Sequence, residues 1–124
     1  MNYPDIKDQL NVLFSLQRRE IKLGLEHTHA LLDYLHNPEK DLKMIHIAGT
    51  NGKGSTAAFI SSILIERGYK VGVFTSPHLI KFNERIRVNS NFITDSEILE
   101  FLNVNENAIK KIQSTFFETT TAMA

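Results

Sequence analysis

Two stretches near the start of the chain carry apolar residues at the three-to-four-residue spacing of a helix, and they predict helices over residues 4–16 and 26–35. Pro4 suits a first helical turn, and Asn37-Pro38 stops the second helix. The pattern then changes. Residues 42–48, from Leu42 through Ala48, form a short and mostly apolar run without alternation, as a strand buried on both faces of a parallel sheet should. A glycine-rich loop follows at once, and residues 55–67 then carry Ala57, Ala58, Ile60, Ile63 and Leu64 at helical spacing, with Gly68 placed as the C-terminal cap. A second strand is predicted at 69–75. Strand, loop, helix and strand in that order make a βαβ unit with a right-handed crossover, so the predicted fold class is α/β: a parallel sheet with flanking helices. The loop would lie at the carboxyl end of a strand, where open α/β sheets bind ligands.

Beyond this unit, Arg85-Ile86-Arg87-Val88 and Phe92-Ile93 flank Asn89-Ser90-Asn91 and predict a small hairpin. Thr94-Asp95-Ser96-Glu97 has the form of a capping box that opens another helix, which the stretch from Asn103 to Asn107 is a candidate to interrupt or end. Residues 116–124 are apolar and read as helical. They stop without a cap, which suggests a cut chain.

Composition narrows the classes. The 124 residues amount to about one domain by length. Fourteen Lys and Arg balance fourteen Asp and Glu without a block of like charge, so nucleic acid is not the expected partner. The absence of cysteine excludes disulfides, thiolate metal sites and a cysteine nucleophile. No apolar run approaches the roughly 18 residues of a spanning helix, and the first residues lack the regions of a signal peptide, so no membrane is expected and a cytoplasmic location is the default.

The loop Gly49-Thr50-Asn51-Gly52-Lys53-Gly54-Ser55 carries the chemistry. A bound phosphate needs several N–H donors and a positive charge on a backbone that can approach closely. Glycines 49, 52 and 54 remove the Cβ atoms that would block that approach. The helix that follows adds the positive end of its dipole, Lys53 would reach the outer phosphates, and the hydroxyl of Ser55 or Thr56 would meet a magnesium ion held by them. The spacing differs from the common phosphate loop. Gly49 lies four residues before Lys53, and Gly54 separates Lys53 from Ser55. The alternative at this point is a glycine-rich turn with an exposed lysine.

The same string resembles the nucleotide loop of the Mur ligase superfamily, and its Lys53-Gly54-Ser55 ending is similar to the form in the folylpolyglutamate synthase and dihydrofolate synthase family. Further matches follow in order: Thr75-Ser76-Pro77-His78-Leu79, then Phe82-Asn83-Glu84-Arg85-Ile86, then Phe117-Glu118 with Thr120 or Thr121 after it. Near the start, Leu23-Gly24-Leu25-Glu26 resembles the family's segment beside the pterin site, although His27 stands where many relatives carry Arg.

The resemblance implies a P-loop-type sheet forming the N-terminal part of an ATP-binding domain over 1–124, with a glutamate-binding C-terminal domain outside this chain. It implies an ATP-dependent ligase that adds L-glutamate to dihydropteroate or folate through an acyl phosphate. ATP and Mg2+ are the implied cofactors. Lys53 is the implied catalytic residue; Gly49, Thr50, Asn51, Gly52, Lys53, Gly54, Ser55 and Thr56 are implied to bind nucleotide, Ser76 and Glu118 to hold the metal, and Leu23, Gly24 and Leu25 to contact the pterin. A competing reading is a nucleotide-binding module without catalysis. A third, some other phosphate-loop kinase or hydrolase, is disfavoured by Gly54.

Several residues have plainer readings. Glu118 lies in the apolar run Phe116-Phe117-Glu118, an expensive place for an unpaired charge that a metal would relieve; an outward-facing glutamate on an amphipathic helix is the alternative. His46 reads as a hydrogen-bonded sheet residue, His78 as an exposed loop position, and His27 and His29 as a solvated helix face. Asn83-Glu84-Arg85 reads as support for the substrate loop by ion pairing and turn formation, with direct substrate contact as the alternative.

Overall fold

The computed structural model describes residues 5–18 and 24–124. In chain order its elements are α1 (Ile6–Ser15), a 3-10 turn (Leu16–Arg18), α2 (Glu26–Tyr34), a second 3-10 turn (Pro38–Asp41), α3 (Lys53–Glu66), β1 (Gly72–Phe74), a third 3-10 turn (Phe82–Arg85), β2 (Ile86–Val88), β3 (Asn91–Phe92), α4 (Asp95–Ile112) and α5 (Phe116–Met123). They fall into two compact units, one of Met1–Leu42 with Asp95–Met123 and one of Lys43–Thr94.

The first unit is helical. Asp5 caps α1 by accepting the Lys7 N–H at 3.3 Å, which satisfies one of the donors left over at a helix start. Helices α1, α2, α4 and α5 pack on one another and bury Leu13, Leu31, Ile98, Leu102, Ile109 and Phe116. The rings of Phe14 and Phe116 stack with centroids 5.5 Å apart. Helix α4 starts directly after Thr94, as the sequence predicts, but it runs through residues 103–107 without a break. The reason is local: Asn105 is buried and its Nδ2 donates to the Phe101 carbonyl one turn earlier at 2.8 Å, so its amide is satisfied inside the helix. The helix ends at Gln113, a non-glycine residue in the left-handed region with φ 58°.

The second unit departs from expectation. Its sheet has three strands in the order β1-β2-β3, every pair antiparallel, with Gly72 opposite Val88, Phe74 opposite Ile86 and Arg87 opposite Phe92. The hairpin is where the sequence predicts it, while the parallel P-loop-type sheet and its βαβ crossover are not formed among the described residues. Residues 42–48 carry no strand, and Leu42, Met44 and Ile45 are exposed. An apolar run marks a segment suited to a strand interior, but a strand exists only where a neighbour supplies ladder hydrogen bonds. β1 is also shorter than the predicted 69–75, because only the residues facing β2 are paired. Helix α3 spreads its apolar residues over more than one face, with Ser61 buried and Phe59 and Ile63 exposed.

Candidate functional site

The glycine loop leads into α3 two residues earlier than predicted. Gly52 lies in the left-handed region at φ 75° and serves as the N-cap, so Lys53 is already the first helical residue. The first N–H groups of a helix have no acceptor within it, so those of Lys53, Gly54 and Ser55 are donors that a phosphate can use at the positive end of the dipole. The Thr56 N–H starts the helical ladder by donating to the Gly52 carbonyl at 2.9 Å, and its hydroxyl donates to the same oxygen at 2.8 Å. Residues 49–56 are all exposed. A Cβ at Gly54 would meet nothing within 4 Å, and Gly54 has no positive φ to justify glycine in a helix, where it costs about 1 kcal/mol relative to Ala. Neither packing nor backbone conformation therefore requires that glycine. The space beside Gly54 is open. Lys53 does not extend into solvent: its ammonium folds back and donates to the Gly49 carbonyl at 2.7 Å and to that of Thr50 at 3.4 Å.

Ser76 lies in the same unit, exposed, in the loop between β1 and β2, and its bond to Pro77 is cis. Glu84 organises that loop. Its Oε2 accepts the Leu79 N–H at 2.9 Å, and its Oε1 accepts those of Ile80 and Lys81 at 2.9 and 2.7 Å. The N–H groups of Lys81, Leu79 and Ile80 hold its carboxyl below the usual value of 4.5. A carboxyl with a depressed folded value stabilises the loop above its unfolded value and loses that contribution as pH falls through the folded one. Arg85, buried, donates from Nε to His78 Nδ1 at 2.7 Å, and its carbonyl accepts the Thr75 N–H at 2.8 Å. Turn support by residues 83–85 is thus present, through capture of backbone N–H groups by Glu84 and the two bonds of Arg85. His78 is correspondingly half-buried, not an exposed loop residue, because it is the acceptor of that bond.

Glu118 belongs to the other unit, with Gly24 and Leu25. Its Oε2 accepts the Thr115 N–H at 2.7 Å while its own N–H donates to Thr115 Oγ1 at 3.3 Å, which makes a reciprocal capping box at the start of α5. The spacing Thr115-Phe116-Phe117-Glu118 is the sequence signal for this arrangement, and the sequence reading passed over it. The cost of a carboxylate among phenylalanines is met by the cap. His27 Nδ1 approaches the same Oε2 at 3.7 Å, so His27 faces Glu118 rather than open solvent; His29 is exposed as expected. His46 is exposed and outside any sheet, since the strand expected around it is not formed. Gly24 and Leu25 stand immediately before α2, with Leu25 exposed, and Leu23 lies outside the described residues.

Ser76 in one unit and Glu118 in the other each carry a hard oxygen of the kind magnesium takes alongside phosphate and water. Among the described residues no three His, Asp or Glu side chains converge as a softer metal's cage would require. No described helix is long and apolar enough to cross a membrane.

No family model matches the chain. A dihydrofolate synthase/folylpolyglutamate synthase of Bacillus subtilis is 46% identical over 110 residues, which cover 84% of this chain and 26% of that relative. The bifunctional folylpolyglutamate synthase/dihydrofolate synthase of Yersinia pestis, solved with AMPPNP and a Mn ion, superposes with a TM-score of 0.86 at 33% identity over 96% of this chain and 29% of that one. A solved FPGS complex with AMPPCP and folate superposes with a TM-score of 0.89 at 31% identity over 98% of this chain and 31% of that one. The fold is one found within folate-modifying synthases. The chain belongs to the folylpolyglutamate synthase/dihydrofolate synthase family, and it spans about a quarter of the length of the curated relative from Bacillus subtilis.

Proposed function

We propose that the chain is the N-terminal part of the ATP-binding domain of an ATP-dependent ligase that adds L-glutamate to dihydropteroate, to folate, or to both. The observation that carries this reading is the start of α3, where a glycine loop with unused N–H donors, an open approach at Gly54 and the Lys53 ammonium converge on one small region. Solved relatives bound to ATP analogues, to Mn and to folate support it. The share of the relatives' length that the chain covers leaves room for a glutamate-binding domain further along.

A carboxylate does not condense with an amine at neutral pH, because its leaving group would be oxide. Transfer of the γ-phosphoryl group of ATP to the carboxylate gives ADP and an acyl phosphate, whose carbonyl carbon the amino group of glutamate attacks, forming the amide and releasing phosphate. Positioning and charge neutralisation accelerate such a transfer. Gly49, Thr50, Asn51, Gly52, Gly54, Ser55 and Thr56 would cradle the phosphates, and Lys53 would turn from its loop carbonyls to the β- and γ-phosphates. Ser76 and Glu118 would hold a magnesium ion, whose contribution is to neutralise charge on the transferring phosphoryl group. Gly24 and Leu25 would contact the pterin.

The test is release of ADP by the full-length protein, measured with dihydropteroate or a reduced folate, with and without glutamate. Release that requires both a pterin acid and glutamate is the expected result. ADP release indifferent to either would refute the ligase reading.

A further inference from the structure

We propose that Glu84 is a positioning residue for the loop that carries Ser76, holding the backbone of the loop's exposed tip. The inference rests on the reading of Ser76 as a metal ligand for its functional meaning, and on geometry alone for the clamp.

Between β1 and β2 the chain leaves the sheet at Phe74 and returns at Ile86. At the tip of this excursion Leu79 is 90% and Ile80 85% exposed, so their own side chains do not anchor it; packing resumes at Phe82, which is buried and edge-on to His78. What fixes the tip is one carboxylate that accepts three consecutive N–H groups, those of Leu79, Ile80 and Lys81, at 2.7 to 2.9 Å. Hydrogen bonds to an ionised acceptor are shorter and stronger than neutral ones, and three converging on one side chain leave the backbone of 79–81 little freedom. The next residue adds two further ties. Arg85 donates to His78 just after Ser76-Pro77, and its carbonyl takes the N–H of Thr75 just before them. Ser76 is therefore bracketed on both sides by bonds to residues 84 and 85. A serine hydroxyl is a weak metal ligand that contributes only when held in place, so the bracket is what makes Ser76 usable. The exposed carboxylate was readable in the sequence as a turn-former; its capture of three successive donors was not.

The test compares Glu84→Ala, Glu84→Gln and Ser76→Ala in the full-length protein by amide hydrogen exchange and by the magnesium concentration that half-activates turnover. In Glu84→Ala the amides of Leu79, Ile80 and Lys81 should exchange about tenfold faster or more, while those within α3 keep their rates. Half-activation should need about fivefold more magnesium or more, with nucleotide affinity in the absence of metal held within about twofold, since the glycine loop is untouched. Glu84→Gln keeps one oxygen for Ile80 and Lys81 and presents its NH2 to the Leu79 N–H, so it should fall between Glu84→Ala and the unaltered protein; it also decides the matter if Glu84→Ala does not fold. Unchanged exchange at 79–81 overturns the clamp. Faster exchange with an unchanged magnesium requirement, where Ser76→Ala does raise that requirement, overturns the positioning role. Should Ser76→Ala leave the magnesium requirement unaltered, the metal reading of Ser76 fails by itself and the exchange data still decide the clamp.

Discussion

The two units of this chain treat their apolar residues differently. In the first, four helices close on one another, and Leu31 and Ile98 are 0% exposed. In the second, α3 leaves apolar residues uncovered, with Ile63 63% exposed, and the apolar run 42–48 forms no strand. The difference follows from where hydrogen bonds come from. A helix satisfies its backbone from its own residues and asks its neighbours only for a surface to pack against. A central parallel strand draws every bond from other strands, which lie far away in sequence. Each helix therefore meets its backbone requirement within itself, whereas residues 42–48 have no such local source.

This contrast makes its largest prediction about stability. Leu31→Ala should destabilise the 124-residue chain by about 2–5 kcal/mol, the cost of a buried cavity, as read by urea unfolding. Ile63→Ala, an apolar truncation on an exposed helix face, should cost no more than about 0.5 kcal/mol. If the two cost the same, α3 is covered in solution and the contrast is broken.

A smaller effect is expected at the loop itself. Lys53 hydrogen-bonds only exposed carbonyls of its own loop, so Lys53→Ala should shift stability by no more than about 0.5 kcal/mol. Charge-assisted hydrogen bonds to a phosphate contribute roughly 1.5–3 kcal/mol, so affinity for a non-hydrolysable ATP analogue with magnesium should drop about tenfold to hundredfold. Titration calorimetry on both proteins checks this. Equal binding would mean that the loop does not grip phosphate.

How much was legible follows the same division. Asn37-Pro38, Thr94 and the helical spacing of apolar residues located α1, α2 and the start of α4 closely, because caps and amphipathic faces are local; Pro4 lies outside the described residues. The hairpin was legible for the same reason, its turn residues lying beside its strands. Asn105 was misjudged, since a buried asparagine bonding back to Phe101 looks in sequence like a helix breaker. The parallel sheet was inferred from order and apolarity, neither of which guarantees a partner strand. At the site, the glycine loop was legible from composition alone, whereas the fold-back of Lys53 and the clamp by Glu84 depend on torsions and distances that no spacing encodes.

Glu118 is where a local reading and a functional one meet on a single carboxylate. As the third residue of α5 it accepts the Thr115 N–H, and a glutamine amide oxygen can do the same, since the capping box admits either residue. What Glu118→Gln removes is the negative charge at a helix N-terminus, worth about 0.3–1 kcal/mol. Glu118→Ala removes the acceptor as well and should cost about 0.5–2 kcal/mol, the range for loss of a cap. Thermal unfolding should therefore order the variants as the unaltered chain, then Gln, then Ala, with the first two close together. Turnover of the full-length enzyme should order them differently. If Glu118 also holds magnesium, Gln and Ala should be comparably inactive, because an uncharged amide is a poor ligand for a hard dication. Retained turnover and magnesium dependence in Glu118→Gln would leave Glu118 as a cap and nothing more, and the metal site would have to be sought among other oxygens.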